Sequence, residues 1–298
     1  MKISLKSILL ILLLVPALTS CIRDEIEDCP PLQVNIAVKD KNYFNVDKMD
    51  PENERPTDLA FREYVPTLFY MLRDAKTGEV VEEHSVFRVE GEAKTMTVNF
   101  CPCLPHGTYV LTVWGGMKDM TSLSEDRTAL ALHPEHAEGD DIYLVNDTLV
   151  YDAYRYDYTV EMERTKGKII VEAEGLPQGI GRMTTDVDRL FGKVNSDFVY
   201  SGETHVSNTS AVTADQKVRM SSIMAPSVGS GTSLVNVSFT KNDSASNMLL
   251  PKPADVNINM ERNRITMLKY VFNPDANKFT IYIKVNDNWE EIHGMILD

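Results

Sequence analysis

The sequence predicts an all-β protein whose mature part is two β-sandwiches in tandem. Three observations point there. Apolar and polar residues alternate with period two in many short segments, the mark of half-buried strands. Clusters of Pro, Asn, Asp and Gly separate those segments. No segment sustains an apolar stripe at helical spacing.

The first strand is set by Leu32, Val34, Ile36 and Val38, which alternate with mostly polar partners. Residues 52–64 and 121–132 have room for a short helical turn or two. Met96, Val98 and Phe100 define a strand over 94–101, and Tyr109, Leu111 and Val113 share one face of another over 108–114. Further strands are expected over 168–174, 233–241, 264–272, 279–285 and 289–295. Asn273-Pro274-Asp275-Ala276-Asn277 and Asn286-Asp287-Asn288 are turn chemistry, so the last three strands are expected to be joined by tight hairpins. Residues 196–232, rich in Ser, Thr and Gly, are expected to be long loops or mobile edge strands. The charged, glycine-bearing stretch Glu163-Arg164-Thr165-Lys166-Gly167 marks a boundary, giving sandwiches over 31–163 and 164–298.

The N-terminus has a different logic. Lys2 and Lys6 precede the apolar run from Ile8 to Leu14, too short for the roughly 20 apolar residues a spanning helix needs. Leu18-Thr19-Ser20-Cys21 then resembles the bacterial lipobox. That resemblance implies cleavage after residue 20 and acylation of Cys21, and two or three acyl chains suffice for stable anchoring. The acidic stretch after it, Asp24-Glu25-Ile26-Glu27-Asp28, resembles the surface-export signal of Bacteroidia lipoproteins; a plain solvated linker is the alternative. Residues 1–20 are thus expected to be a signal peptide and 21–30 a lipidated acidic tether.

The net charge is −14, and becomes −16 once Lys2 and Lys6 leave with the signal. So acidic a chain, without a basic stripe, argues against nucleic acid as a partner. With Cys21 lipidated, Cys29, Cys101 and Cys103 remain for a disulfide. Three thiols leave one unpaired, and the sequence does not choose the pair. A bridge from Cys29 to Cys101 or Cys103 would fasten the tether to the sandwich; three reduced thiols are the alternative.

Catalytic signatures are missing from the sequence: it has no H-E-x-x-H, G-x-S-x-G or phosphate-cradling glycine loop, so an enzyme is not expected. No cofactor and no metal are expected. His133-Pro134-Glu135-His136 reads as a turn with solvated histidines, and His106 as exposed. The Asn/Asp turns at 273–275 and 286–288 carry oxygen ligands of the kind calcium takes, but hairpin turns need no ion. Trp114 and Trp289 are either sugar-stacking platforms or packing residues. Tyr154, Tyr156 and Tyr158 are placed on one strand face, as an adhesive patch or a core-facing aromatic row. Asp147-Thr148-Leu149 and Asp243-Ser244-Ala245 look like short Bacteroidia O-glycosylation sequons.

Three passages together resemble the FimB-like fimbrillin-associated anchor proteins of Bacteroidia, which belong to type V fimbriae. They are Leu18-Thr19-Ser20-Cys21 with its acidic follow-on and Asp28-Cys29-Pro30-Pro31; Leu104-Pro105-His106-Gly107-Thr108-Tyr109 running into Val113-Trp114-Gly115-Gly116; and Gly175-Leu176-Pro177. The resemblance implies transthyretin-like sandwiches, with Gly107 making the turn into a strand whose Tyr109 enters the core. It implies an outer-membrane lipoprotein, exposed at the cell surface, that anchors a fimbria and limits its polymerisation, with fimbrillin subunits as partners. Related fimbrillins exchange strands: proteolysis frees a groove that a neighbour's C-terminal strand fills. With a lipid at Cys21, and only Ile296-Leu297-Asp298 after the last expected strand, this chain is expected to receive a strand rather than donate one. A surface glycan-binding lipoprotein and a fimbrial tip adhesin are the competing readings.

Overall fold

The structure, a computed structural model, describes residues 30–229, 231–241, 251–285 and 287–292. The expected signal peptide, Cys21, the acidic tether, Cys29, the 243–245 sequon and the far end of the last expected strand lie outside the described residues. The first half of the chain contributes strands β1 (Gln33–Val38), β2 (Thr67–Asp74), β3 (Val80–Arg88), β4 (Met96–Asn99), β5 (Gly107–Gly115), β6 (Ala129–Ala131), β7 (Tyr143–Tyr151) and β8 (Asp157–Arg164). The second half contributes β9 (Gly167–Glu174), β10 (Ile180–Asn195), β11 (Tyr200–Ala211), β12 (Val218–Met224), β13 (Ser233–Lys241), β14 (Val256–Ile258), β15 (Ile265–Asn273), β16 (Lys278–Val285) and β17 (Asn288–Glu291). Among the described residues, helix is confined to one turn of α-helix, α1 (Phe61–Tyr64), and short 3-10 turns.

Each half follows the same plan. In the first, the strand order is β3-β2-β5-β7 continuing into β8-β1-β4; the join is the short pairing of Tyr143 with Arg164 and Leu144 with Glu163. In the second, β11-β10-β13-β14 forms one sheet and β12-β9-β15 the body of the other. The first strand of each half pairs parallel with the last strand of the set, β1 with β8 and β9 with β15. The two halves are therefore topological repeats, both β-sandwiches. β16 and β17 are an addition: they extend the β15 edge as antiparallel hairpins, as the turn residues predict. The carbonyl oxygen of the Asn273 side chain accepts from the Asp275 and Ala276 amides, closing the first of those turns.

The core of the first sandwich lies between its layers, with Val34 and Ile36 from β1 meeting Leu68, Leu72, Leu111 and Val113. The opposite faces of the same strands are buried too. Phe69, Met71, Trp114 and Leu144 pack with Val187, Val194 and Val235 of the second half. The sheet containing β2 and β5 is thus covered on both sides, and residues 31–298 make one compact unit. β6 crosses over to pair with the far end of β10.

The charged stretch between the halves is inside the protein rather than solvated. Arg164 is 2% exposed, and Thr165 and Lys166 are fully buried. A buried cation is tolerated only when its donors find acceptors, and Arg164 has them on all three of its nitrogens. The Arg164 guanidinium donates to the Asp141 carboxylate (3.2 Å), to the Asn263 side-chain oxygen (2.9 Å) and to the Tyr143 hydroxyl, and lies against the Tyr43 ring at 4.2 Å. Lys166 donates to the Glu138 carbonyl at 2.8 Å, and burial pulls its ammonium down to about 8. Residues 41–60 form a strap from the first sandwich onto the second. Asn45 exchanges two hydrogen bonds with the Ile265 backbone, both 2.9 Å, and Asp50 pairs with Lys284 at 2.7 Å.

Candidate functional site: an open strand edge and the end where the chain enters

The chain enters the first sandwich beside two loops. The Gln33 amide donates to the Tyr156 carbonyl (2.7 Å), and the Phe100 amide to the Leu32 carbonyl (2.9 Å). The loop after Phe100 carries Cys101 and Cys103, whose sulfurs are bonded to each other (Cα–Cα 5.2 Å). Leu104 to Gly107 then turn into β5. Gly107 opens the strand, Tyr109 is buried with its hydroxyl donating to the Pro105 carbonyl (2.6 Å), and Leu111 and Val113 follow inward. His106 is exposed, as expected, and meets the Tyr151 ring edge-on at 5.3 Å.

The three tyrosines do not share a strand face. β8 begins only at Asp157, because Asp152 closes a turn. Its carboxylate accepts from the Tyr154 and Arg155 amides and pairs with the Arg155 guanidinium. Tyr154 is left 93% exposed and Tyr156 38%. Tyr158 plays a structural part: β7 and β8 separate into the two layers, and its hydroxyl fills the gap, donating to the Val150 carbonyl (2.6 Å) and accepting from the Val150 amide (3.2 Å). The structure thus splits the cluster into an exposed pair near the chain's entrance and a half-buried wedge.

The second feature is β3, the last strand on its side of the first sheet, with no strand beyond it among the described residues. Its far half is rooted in an aromatic cluster. Tyr70 stacks with His84 (5.4 Å) and meets Phe87 and Phe100 edge-on, and burial with the nearby Glu82 carboxylate raises the Tyr70 hydroxyl to about 12. Its near half presents Val80 and Val81, 49% and 44% exposed. Exposed valines on an unpaired edge are what soluble sheets suppress unless the edge is used. Sequence reasoning missed this pair, since Glu79-Val80-Val81-Glu82-Glu83 breaks the alternation; adjacent β-branched residues between carboxylates were the available signal.

Trp114 is fully buried, with its indole N–H donating to the Arg127 carbonyl (3.2 Å), and the Trp289 ring is covered by the Lys269 ammonium at 4.4 Å. His133 corrects an expectation: it is 5% exposed rather than solvated. Its Nδ1 lies 3.0 Å from both the Ala137 and Glu138 carbonyls, and its Nε2 accepts from the Ala225 amide at 2.9 Å. His136 remains outside, stacked on His205 at 4.0 Å. Thr148, of the described sequon, sits exposed on β7. Among the described residues, no group of three or more His, Cys, Asp and Glu side chains is placed to hold a metal ion.

No family model and no curated protein matches the sequence. Solved structures with the same fold do exist. A candidate adhesin of Bacteroides thetaiotaomicron superposes with a TM-score of 0.57 at 16% identity, over 89% of this chain and 99% of that one. The fimbrial anchor protein Mfa2 of Porphyromonas gingivalis gives 0.52 at 14% identity, over 89% and 100%. A candidate polysaccharide-binding protein of B. thetaiotaomicron gives 0.56 at 12% identity, over 88% and 98%. At such identities the likeness is one of fold.

Proposed function

We propose that this protein anchors a fimbria at the bacterial surface. In this reading Cys21 carries the lipid, residues 21–30 are the tether, and a fimbrillin subunit adds an extended strand along β3. The carrying observation is the pair Val80 and Val81, exposed on an unpaired edge of the sandwich into which the tether leads. An added strand would satisfy the edge's free amides and carbonyls and cover both valines at once. Engaging a subunit at one edge, with the other end of the chain held by lipid, would also limit polymerisation. The fold shared with a fimbrial anchor protein supports this reading. Tyr154 and Tyr156, exposed where the chain enters, supply further contact area of the kind interfaces favour. The glycan-binding alternative loses its two aromatic platforms, one buried and one covered by Lys269.

The test uses two variants in the native host. Val80→Lys combined with Val81→Lys should fold normally yet release fimbriae into the medium, because edge lysines block strand addition. Cys21→Ser should release the anchor itself from membranes. Fimbriae retained by the double-lysine cells would overturn the reading of the edge. A Cys21→Ser protein still partitioning with membranes would overturn the anchor.

A further inference from the structure

Beneath the strap, where the two sandwiches meet, lies a polar cavity of about 410 Å³, within the size range of small-molecule sites. Its charges do not balance. Three carboxylates line it: Asp141 is paired with Arg164 and Glu52 with Arg219 (2.5 Å), while Glu138 accepts from the neutral Ile223 amide (2.8 Å) and keeps its charge. Among the described residues, three of its four cations have no carboxylate partner: Lys168 donates to the neutral Asn53 side chain (3.2 Å), Lys41 to the Thr57 carbonyl (2.8 Å), and the Arg55 guanidinium is exposed without an ion pair. On a chain of net charge −14, a lining with four cations to three carboxylates runs against the overall electrostatics. Burial first, and then the charges of Arg219, Arg55 and Arg164, hold the Lys168 ammonium below its ordinary range, so the pocket lacks negative charge at that atom.

The neutral lining adds a second specificity. Asn42 and Asn53 line the cavity from the strap and the exposed Ser221 from β12, with Ser222 buried beside it and its hydroxyl accepting from Asn208 (3.0 Å). Amides and hydroxyls around a cationic centre suit a ligand that carries both an oxyanion and several hydroxyl groups. Asn42 also exchanges two 2.8 Å hydrogen bonds with the Arg55 backbone, so the strap holds its shape around the opening. We propose that this cavity binds an acidic sugar of the uronic-acid class, its carboxylate held by Lys168 and Arg55 and its hydroxyls by the amides and Ser221. This site is independent of the β3 edge and does not rest on the fimbrial reading.

The test is titration of the full mature protein, in detergent at low salt, with glucuronic acid, with glucose as the neutral sugar and sodium sulfate as the bare oxyanion. Glucuronic acid should bind saturably, glucose should not, and sulfate should bind more weakly and compete. Lys168→Gln and Arg55→Gln should each weaken glucuronic acid about tenfold, the scale of one charge-assisted hydrogen bond, with unchanged thermal unfolding. Arg55 is exposed, so its variant keeps the test valid should Lys168→Gln disturb packing. The proposal is overturned by no saturable signal at millimolar glucuronic acid, by equal binding of glucose, by sulfate matching glucuronic acid, or by affinity indifferent to both substitutions.

Discussion

His133 should make the junction between the sandwiches acid-labile, and the size of the effect follows from its surroundings. Carbonyls on the Nδ1 side and an amide on the Nε2 side fix the neutral tautomer with Nδ1 protonated. A proton on Nε2 would face the Ala225 N–H, in a site already holding the Lys166 cation. Burial, and then that charge, lower the imidazole from 6.5 to about 3. The unfolded chain therefore binds this proton at higher pH than the folded one. The stability it contributes is complete above pH 6.5 and is lost as pH falls from there toward 3. Between pH 7 and pH 4 the loss amounts to about 3 kcal/mol for this group alone. His133→Gln keeps one donor and one acceptor and removes the titration. Denaturant unfolding of both proteins at the two pH values isolates the effect, because carboxylate contributions are common to both. Wild type should lose about 3 kcal/mol more than the variant on acidification. Parallel losses in the two proteins would refute the neutral buried imidazole.

Other outcomes follow from the same packing. Arg164→Leu leaves Asp141, Tyr143 and Asn263 without their donor and should cost about 3 kcal/mol, with both sandwiches still melting together in calorimetry. Gly116→Ala should cost more than about 2 kcal/mol in denaturant unfolding, because Gly116 has φ +85° and a Cβ there would sit 2.1 Å from the Asp141 carbonyl oxygen. The tyrosines should separate by role. Tyr158→Phe should lower stability by about 1 kcal/mol, whereas Tyr154→Ala should leave the melting temperature unchanged and weaken retention of fimbriae on cells. Non-reducing peptide mapping should recover Cys101 and Cys103 in one internally bridged peptide.

Where a strand has one face in the core and one in water, its period-two pattern located it to within a residue or two. β1 and β13 are of that kind; β9, β15 and β16 were located equally well from their apolar-rich segments, although β9 and β15 are buried on both faces, and the Asn/Asp turns placed the last hairpins. β2 escaped because Leu68-Phe69-Tyr70-Met71-Leu72 is buried on both faces, which erases alternation. β10 escaped because its register breaks between Val187 and Leu190, where Arg189 takes φ 59°. Residues 196–232 hold two regular strands, β11 and β12, both at sheet edges, where polar Ser and Thr are admissible. The charges at 163–167 read only as a boundary because a sequence cannot show that Asp141, Tyr143 and Asn263 converge on Arg164 from distant strands. For the same reason His133 gave no sign of burial: its acceptor-side partner, Ala225, is 92 residues away. Of the proposed site, the disposition of Tyr154 and Tyr156 turned on one Asp152-centred turn, and the exposed valines of β3 on which strand ended the sheet.

Uptake by β3 of a strand from a fimbrial subunit is what the proposal stands on. It is tested most directly by placing a photo-crosslinking amino acid at position 81 in the native host and irradiating intact cells. The account predicts a covalent adduct between this protein and a fimbrillin, with no such adduct from the same group at exposed Val199 on the second sandwich. Irradiated cells that yield no adduct at position 81, or the same fimbrillin adduct from both positions, would contradict it.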